Sequence, residues 1–323
     1  MDFLSEKNVF VTGATGMVGS HVAERLAEAG ANAVCLVRSR DPKSYFYGQK
    51  LDEKCVSVFG DLKDAGRMAD IISRYEIEII MHVGAQPIVG AALSNPLETF
   101  RANVDGTVHV LEAARNSKAV KAIVVASSDK AYGKSEKLPY TEDMPMGGAS
   151  PYDVSKSCTD LISLAYAKTY GMPVAVTRFG NIYGPGDLNF NRIVPGAIMA
   201  GINGTALDIR SDGKMVREYL HVEDVADGYI SLAKGIGKAK GEAFNFGSGE
   251  RLTALEVVEK VGKAMGRKIG TRILNTAKGE IPIQYLSCEK AKKLLGWKPA
   301  YNFEKGLELT IPWYRKLAGR KKA

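Results

Sequence analysis

Tyr152 and Lys156 are spaced Y-x-x-x-K. On a helix that spacing puts both side chains on one face, about 5–6 Å apart at Cβ. A phenol with an ordinary pKa near 10 is a poor base at neutral pH. A neighbouring ammonium favours the phenolate, which can then take a proton from an alcohol. The spacing alone is weak evidence, because Tyr301 and Lys305 repeat it in a segment that reads as ordinary structure. Context selects the first pair. Tyr152 opens a helical stretch ahead of a strand, and it follows Ser127-Ser128-Asp129-Lys130-Ala131-Tyr132-Gly133, a polar turn at the end of another strand. The carboxyl ends of strands are where open α/β sheets bind ligands. Ser128 would hydrogen-bond the reacting hydroxyl beside Tyr152. The plain alternative for the rest of the turn is a solvated loop.

A second constellation lies near the start. The apolar run 7–12 (KNVFVT) leads directly into Gly13-Ala14-Thr15-Gly16-Met17-Val18-Gly19, spaced G-x-x-G-x-x-G. Glycines suit a sharp turn, a close approach of pyrophosphate to the backbone, and a helix packed tightly on a strand. The helix N-terminus then offers free N–H groups to the anion. Between a strand and a helix this triplet predicts dinucleotide binding rather than a structural turn.

The elements that must hold these residues alternate. Strands are expected at 7–12, 33–37, 56–59, 78–83, 122–126 and 174–179. Helices are expected after the glycine loop (Val18, Val22, Leu26 and Ala29 at helical spacing), at about 96–117 and at about 151–170. Such alternation means a Rossmann-like, doubly wound parallel sheet with helices on both faces, an α/β fold. Beyond Gly180 the rhythm changes, with one more sheet strand at 244–246 and helices near 254–265, 289–295 and 304–317. The expected division is a dinucleotide-binding domain over 1–180, with later elements near 216–248 returning to it. A smaller, interleaved substrate domain would cover most of 181–323.

With these motifs in place the chain resembles the extended short-chain dehydrogenase/reductase family, over nearly its whole length. The likeness includes Gly60-Asp61-Leu62 and His82-Val83-Gly84-Ala85-Gln86. It implies a nicotinamide cofactor held by Gly13, Thr15, Gly16, Met17, Val18, Gly19, Asp61, Leu62, Gly84, Ala85, Gln86, Tyr152, Lys156 and Phe179. Asp61 would lie beside the adenine, and Asn103 would support the helix carrying the active site. Ser-Asp-Lys at 128–130 is similar to the CDP-glucose branch of the sugar-nucleotide 4,6-dehydratases, as are Ala85-Gln86-Pro87, Pro151-Tyr152 and Gly180-Asn181. That resemblance implies catalysis by Ser128, Asp129, Lys130, Tyr152 and Lys156. Tyr152 would take the C4 hydroxyl proton, Lys130 the C5 proton, and Asp129 would protonate the departing C6 hydroxyl. Lys130 must then act as a neutral amine and Asp129 as an acid, whereas neighbouring lysine and aspartate favour the charged forms. A 4-epimerase or other redox isomerase, needing no such acid–base pair, is the alternative, and a non-catalytic dinucleotide sensor the third class.

The second strand ends at Val37, followed by Arg38, Ser39 and Arg40. An acid there would take a ribose hydroxyl, whereas arginine suits a 2′-phosphate. Arg38 therefore favours NADP over NAD, unless it is merely exposed and Asp41 or another group supplies the carboxylate. For the substrate, Gln86, Ser128, Asn181 and Arg192 are candidates. By resemblance Arg217 would grip the pyrophosphate, for which guanidinium is suited. Surface salt bridges are the plain reading of both arginines.

Composition agrees with a packed enzyme: 323 residues, 45% hydrophobic and 25% charged, which excludes disorder, fibre and a disulfide scaffold. The net charge of +8 includes a basic end, 315–322, read as a solvated tail. No aromatic-basic motif accompanies it, so no nucleic acid is expected as partner. The stretch 79–97 lacks charges but holds His, Gln, Asn, Pro and Gly, too polar to span a bilayer. Four scattered cysteines and four scattered histidines suggest neither disulfides nor a metal. With no signal-like start, the cytoplasm is the expected place. The resemblance also implies a homodimer through the helices near 96–117 and 151–170.

Overall fold

The computed structural model describes residues 3–276 and 281–319. Six strands come first: β1 (Asn8–Thr12), β2 (Asn32–Val37), β3 (Val56–Phe59), β4 (Ile79–His82), β5 (Ala122–Ala126) and β6 (Val174–Phe179). Later come β7 (Asn181–Tyr183), β8 (Leu207–Ile209), β9 (Val216–His221), β10 (Ala243–Phe246), β11 (Arg251–Thr253), β12 (Thr271–Ile273) and β13 (Ile283–Gln284). Seven of them form the main sheet in the order β10-β6-β5-β4-β1-β2-β3, all parallel. The direction of winding reverses between β1 and β4. Their carboxyl ends therefore flank the crevice where such folds take ligands.

The helices are α1 (Met17–Glu28), α2 (Tyr45–Gly48), α3 (Ala65–Arg74), α4 (Val89–Ser94), α5 (Pro96–Phe100), α6 (Gly106–Arg115) and α7 (Pro151–Tyr170). They continue with α8 (Ile193–Asn203), α9 (Val222–Lys234), α10 (Ile236–Ala239), α11 (Ala254–Met265), α12 (Glu289–Leu295) and α13 (Phe303–Gly319). Side chains alternate across the sheet. Val9, Val11 and Val124 pack on one face with Val22, Leu26, Val225 and Leu232, while Phe10, Ile123 and Val125 meet Met68, Ile71, Val110 and Leu111 on the other. Both faces are covered, which is why these strands read as continuous apolar runs. A third core, with Ile198, Val261, Leu307 and Ile311, stands apart under α8, α11 and α13.

The helix expected over 96–117 follows one path but contains a π-helical turn at Arg101–Asp105, between α5 and α6. Within 216–248, α9 and β10 are the elements that return to the main sheet. β9 belongs to a small sheet with β7, β11 and β13, whereas α9 packs on α1 and β10 closes the seven-stranded sheet. Arg25 on α1 pairs with Asp227 on α9 at 2.7 Å, and His21 Nδ1 lies 2.7 Å from a Glu223 oxygen. Among the described residues His21, Glu24 and Glu223 bring ligand-type atoms within 4.8 Å of one another. Both His21 ring nitrogens are already engaged, Nε2 with the Pro185 carbonyl at 3.0 Å. The last three residues of the basic end, 320–322, lie outside the described residues.

Candidate active site

The glycine loop leaves β1 with Gly13 at φ +70°, a left-handed conformation that glycine adopts at little cost. The Gly13 carbonyl accepts from Gly16 N–H at 3.0 Å. Its surroundings leave no room for a side chain. A Cβ on Gly19 would lie 2.1 Å from the Gly13 oxygen, and one on Gly13 would lie 2.7 Å from Gly84 Cα. Helix α1 then starts from Gly16 with no side-chain cap and no acid in its first turn. Its first N–H groups thus have no side-chain cap, as an anion cradle requires.

A buried relay ties this loop to the next element. Gly84 N–H donates to Thr12 Oγ1 at 2.9 Å, and Thr12 Oγ1 lies 2.9 Å from His82 Nδ1. His82 Nε2 is 3.1 Å from Thr107 Oγ1, which itself donates to the Asn103 carbonyl at 2.6 Å. That ordering of donors assigns the proton of His82 to Nε2. Burial pushes the His82 pKa down to about 3, so the ring is neutral. Asn103 completes the chain from the π turn: its Oδ1 accepts from Gln86 N–H at 2.6 Å, and its Nδ2 donates to Ser155 Oγ at 2.9 Å. It thus joins the loop after β4 to α7. Asn103 sits in a local widening of the helix, where π turns often serve function.

Helix α7 begins at a complete capping box, Ser150 accepting from Asp153 N–H and Asp153 accepting from Ser150 N–H, with Pro151 in the first turn. Tyr152 and Lys156 lie on its inner side. Lys156 is buried and donates to the Ala126 carbonyl at the end of β5, at 2.8 Å. Burial lowers its pKa to about 8. Burial pushes the Tyr152 phenol up to about 12, while the Ser128 hydroxyl and the Arg192 charge favour the phenolate and Asp129 opposes it. A phenol in that state needs further positive charge to ionise at neutral pH.

The turn after β5 packs against α7. Residues Asp129–Tyr132 form one 3₁₀ turn, begun by Ser128, whose Oγ accepts from Lys130 N–H at 3.2 Å and donates to Asp129 Oδ1 at 3.1 Å. Lys130 Nζ pairs with Asp129 Oδ2 at 3.2 Å. Ser157 Oγ on α7 donates to the Ala131 carbonyl at 3.1 Å. Below the turn, Arg178 and Asp160 form a fully buried bidentate pair at 2.7 and 2.9 Å. Arg178 also donates to Tyr132 Oη at 2.6 Å, anchoring the turn from β6. Sequence reasoning placed Arg178 at a strand end but gave it no part. An arginine inside an otherwise apolar strand was the available signal, since a buried charge needs a partner.

The remaining candidates divide. Arg38 is exposed after β2, Asp61 is half-buried after β3 with Oδ1 accepting from Lys63 N–H at 2.9 Å, and Leu62 packs beneath Gly106. Asn181 starts β7, opposite Tyr219 of β9. Arg192 donates to Asp187 at 3.1 Å yet its charge reaches Tyr152. Arg217 donates to the carbonyls of Val216 and Pro282, at 2.8 and 3.3 Å, and no carboxylate among the described residues pairs with it. Two of the candidate side chains are engaged by the protein itself. The Gln86 amide folds into its own loop, bonded to Ile88 and to Thr99 Oγ1. The Phe179 ring is buried between Tyr229 and Phe246. Alternation along β6 explains this, because the residue beside an inward charge points to the opposite face. Tyr301, the decoy of the second Y-x-x-x-K, lies against His221 with the rings tilted by 46° and their centroids 5.0 Å apart, far along the chain from the turn.

Known proteins resemble this chain in sequence and in fold. A CDP-glucose 4,6-dehydratase of Salmonella typhimurium is 32% identical, covering 97% of this chain and 92% of that protein. A dTDP-glucose 4,6-dehydratase of Streptomyces antibioticus is 33% identical, covering 95% of this chain and 92% of that protein. Among solved structures, an epimerase of Methanothermobacter thermautotrophicus superposes with a TM-score of 0.92 at 28% identity, covering 99% and 96% of the two chains. A dTDP-glucose 4,6-dehydratase of Streptomyces venezuelae, solved with NAD bound, gives a TM-score of 0.88 at 28% identity, covering 97% and 98%. The family described as GDP-mannose 4,6 dehydratase matches residues 10–310. With the glycine cradle, the Tyr152–Lys156 helix start and the Asp129–Lys130 turn all inside that match, the chain belongs to the GDP-mannose 4,6-dehydratase family.

Proposed function

We propose that this protein is a nucleotide-sugar 4,6-dehydratase, turning a nucleoside-diphosphate hexose into its 4-keto-6-deoxy form. The observation that carries the reading is the hydrogen-bonded Asp129–Lys130 pair held beside Ser128, Tyr152 and Lys156. A redox isomerase has no use for such a pair. A nicotinamide dinucleotide, when bound, would supply the hydride acceptor for C4 and the hydride donor for C6. The clash-free cradle of Gly13, Gly19 and Gly84 fits its pyrophosphate, with Thr15, Gly16, Met17 and Val18 opening the helix above it. Ala85 would lie along the same crevice.

The residues divide the proton work. Tyr152, as phenolate, takes the proton of the C4 hydroxyl, with Ser128 holding that oxygen. The 4-keto group then acidifies C5–H. The Lys130 ammonium and Asp129 carboxylate are already in contact, so passing one proton along that bond gives a neutral amine and a carboxylic acid. Excluding water favours this neutral pair, because desolvation penalises two charges more than two neutral groups. Lys130 then removes the C5 proton, the C5–H electrons form the C5–C6 double bond, and Asp129 protonates the C6 hydroxyl as it leaves as water. The pair is then back in its ionic form; as C6 is reduced, C5 takes a proton from solvent and Tyr152 gives its own back to solvent, which restores the starting state.

We assign Arg217 to the pyrophosphate of the substrate, supported by its freedom from carboxylates among the described residues. Arg192 and Asn181 reach the nucleotide and sugar from the segment after β6. The cut near residue 180, cofactor below it and substrate mainly above it, belongs to the same reading. NADP is favoured over NAD because Arg38 is exposed at the end of β2 and its charge reaches Lys63. That neighbourhood suits a 2′-phosphate. A homodimer is supported by Leu93, Leu97 and Leu161, which are 62%, 58% and 56% exposed on α4, α5 and α7. Free cysteines at 35, 55, 158 and 288 suit a reducing cytoplasm, and no helix among the described residues is long and apolar enough to cross a membrane.

Incubation with NADP or NAD and a panel of CDP-, GDP-, dTDP- and UDP-hexoses, read by mass spectrometry, tests the proposal. A product lighter by one water (about 18 Da) that carries a solvent proton at C5 is expected. An isomer of unchanged mass would sink the dehydratase reading and assign a 4-epimerase. Paired binding titrations with NADP and NAD decide the cofactor.

A further inference from the structure

Gln284 lies on β13, in parallel register with Arg217 on β9. Its side chain leaves the small sheet and crosses to the catalytic turn, where it is 1% exposed. Nε2 donates to the Asp129 carbonyl at 3.0 Å, and Oε1 accepts from Lys130 Nζ. The first contact orients the second. An amide nitrogen can only donate, so it must face the Asp129 carbonyl, and that leaves the oxygen for the amine. Lys130 therefore has two acceptors of different kinds, the carboxylate of Asp129 and the neutral amide of Gln284.

The two acceptors ask different things of the lysine. A carboxylate binds an ammonium far better than an amine, because the bond is charge-assisted. An amide oxygen accepts an N–H from either form. When Lys130 has passed a proton to Asp129, one N–H can stay on Gln284 while the lone pair is free to meet C5–H. We propose that Gln284 is the positioning residue that holds Lys130 Nζ in place for proton abstraction at C5. The proposal rests on the dehydratase reading. It adds a residue from the substrate half to the catalytic turn, on the strand next to the arginine assigned to pyrophosphate.

Two measurements on the full-length protein test it, with Gln284→Met (similar length, no polar atoms) and Gln284→Glu. The first needs no turnover: the rate at which acetic anhydride modifies Lys130, relative to exposed Lys298, is followed by peptide mass spectrometry. Freed from its amide, Lys130 should react roughly tenfold faster in Gln284→Met, the size expected for losing a hydrogen bond to a charged group. An unchanged Lys130-to-Lys298 ratio overturns the proposal whatever reaction the enzyme performs.

The second measurement is transient kinetics with the substrate found above. Gln284→Met should lower kcat by about 10- to 100-fold, leave KM within about twofold, and let reduced nicotinamide build up ahead of the lighter product. Gln284→Glu should move the rising limb of the kcat–pH profile upward, since a second carboxylate holds Lys130 as ammonium. A raised KM alone, or equal slowing of oxidation and elimination, would mean a merely structural tie and overturn the proposal. A wild type that yields only an isomer defeats the dehydratase reading itself. A wild type that eliminates water while Gln284→Met keeps its kcat defeats only the role of Gln284. If Gln284→Met does not fold, Gln284→Asn, which draws the amide back by one carbon, supplies the same comparison.

Discussion

Helices α1 and α7 both start at the crevice, and they start in opposite ways. Helix α1 has a glycine at its N-cap, no side-chain cap and no acid in its first turn. Helix α7 has Ser150 and Asp153 in a reciprocal capping box, with Pro151 between them. One end leaves its N–H groups for something that is not protein, and the other satisfies them itself. The difference matches their tasks. A phosphate-binding end must stay open and positive, whereas an end that aims Tyr152 within a fraction of an ångström must be closed and stiff.

Removing what the closed end aims should have the largest effect. Tyr152→Phe should lower kcat by about 10²- to 10⁴-fold, the usual worth of a general base, with dinucleotide affinity little changed. Near wild-type turnover would mean that another group takes the C4 proton. Next comes closing the open end. Gly16→Asp supplies a good cap and a negative charge, so thermal stability should hold or rise while NAD(P) binding weakens by roughly tenfold or more. Binding that survives this change in a calorimetric titration would show that the anion does not use α1.

Lys156 gives a pH-dependent form of the comparison. Its folded pKa of about 8 lies below the unfolded value of an ordinary lysine, so between about pH 8 and 10 the unfolded chain binds more protons. Stability from this group should therefore rise with pH across that window and stay level below it. Denaturant midpoints of wild type and Lys156→Met, compared at pH 8 and pH 9.5, should diverge in favour of wild type; parallel midpoints would place Lys156 in a wetter site. The smallest effect is on the cap of α7. Ser150→Ala should cost about 1 kcal/mol of stability, and kcat should fall more than cofactor affinity.

What could be read from sequence was mostly what is local. The glycine triplet, Tyr152 with Lys156, and the Ser128–Lys130 turn each fit within seven residues, and each lies where its spacing put it. Strands buried on both faces announced themselves as apolar runs. Gln284 could not be read in this way, because 154 residues separate it from Lys130 and it stands on a strand of two residues. Helix α8 was missed because Pro195 and Gly196 look like breakers, although a proline in a first turn breaks no intrahelical hydrogen bond. Gln86 was assigned to ligands through the family resemblance of the 82–86 motif. Its amide instead closes the loop that makes the crevice.

The late arrival of β10 constrains how the molecule can be made. β6 is buried along its whole length, and β10 covers its outer edge. A ribosome that has emitted only the first 180 residues has therefore released a sheet with an unprotected apolar margin, the kind of edge that invites pairing with other chains. The pairing that heals it spans about sixty-seven residues of intervening chain, taking Ala243 with Val176. Non-local closures of this sort slow folding. A fragment ending at residue 180 should accordingly precipitate where one ending past β10 stays dispersed, so the cofactor half, for all its local motifs, is not a separable cassette.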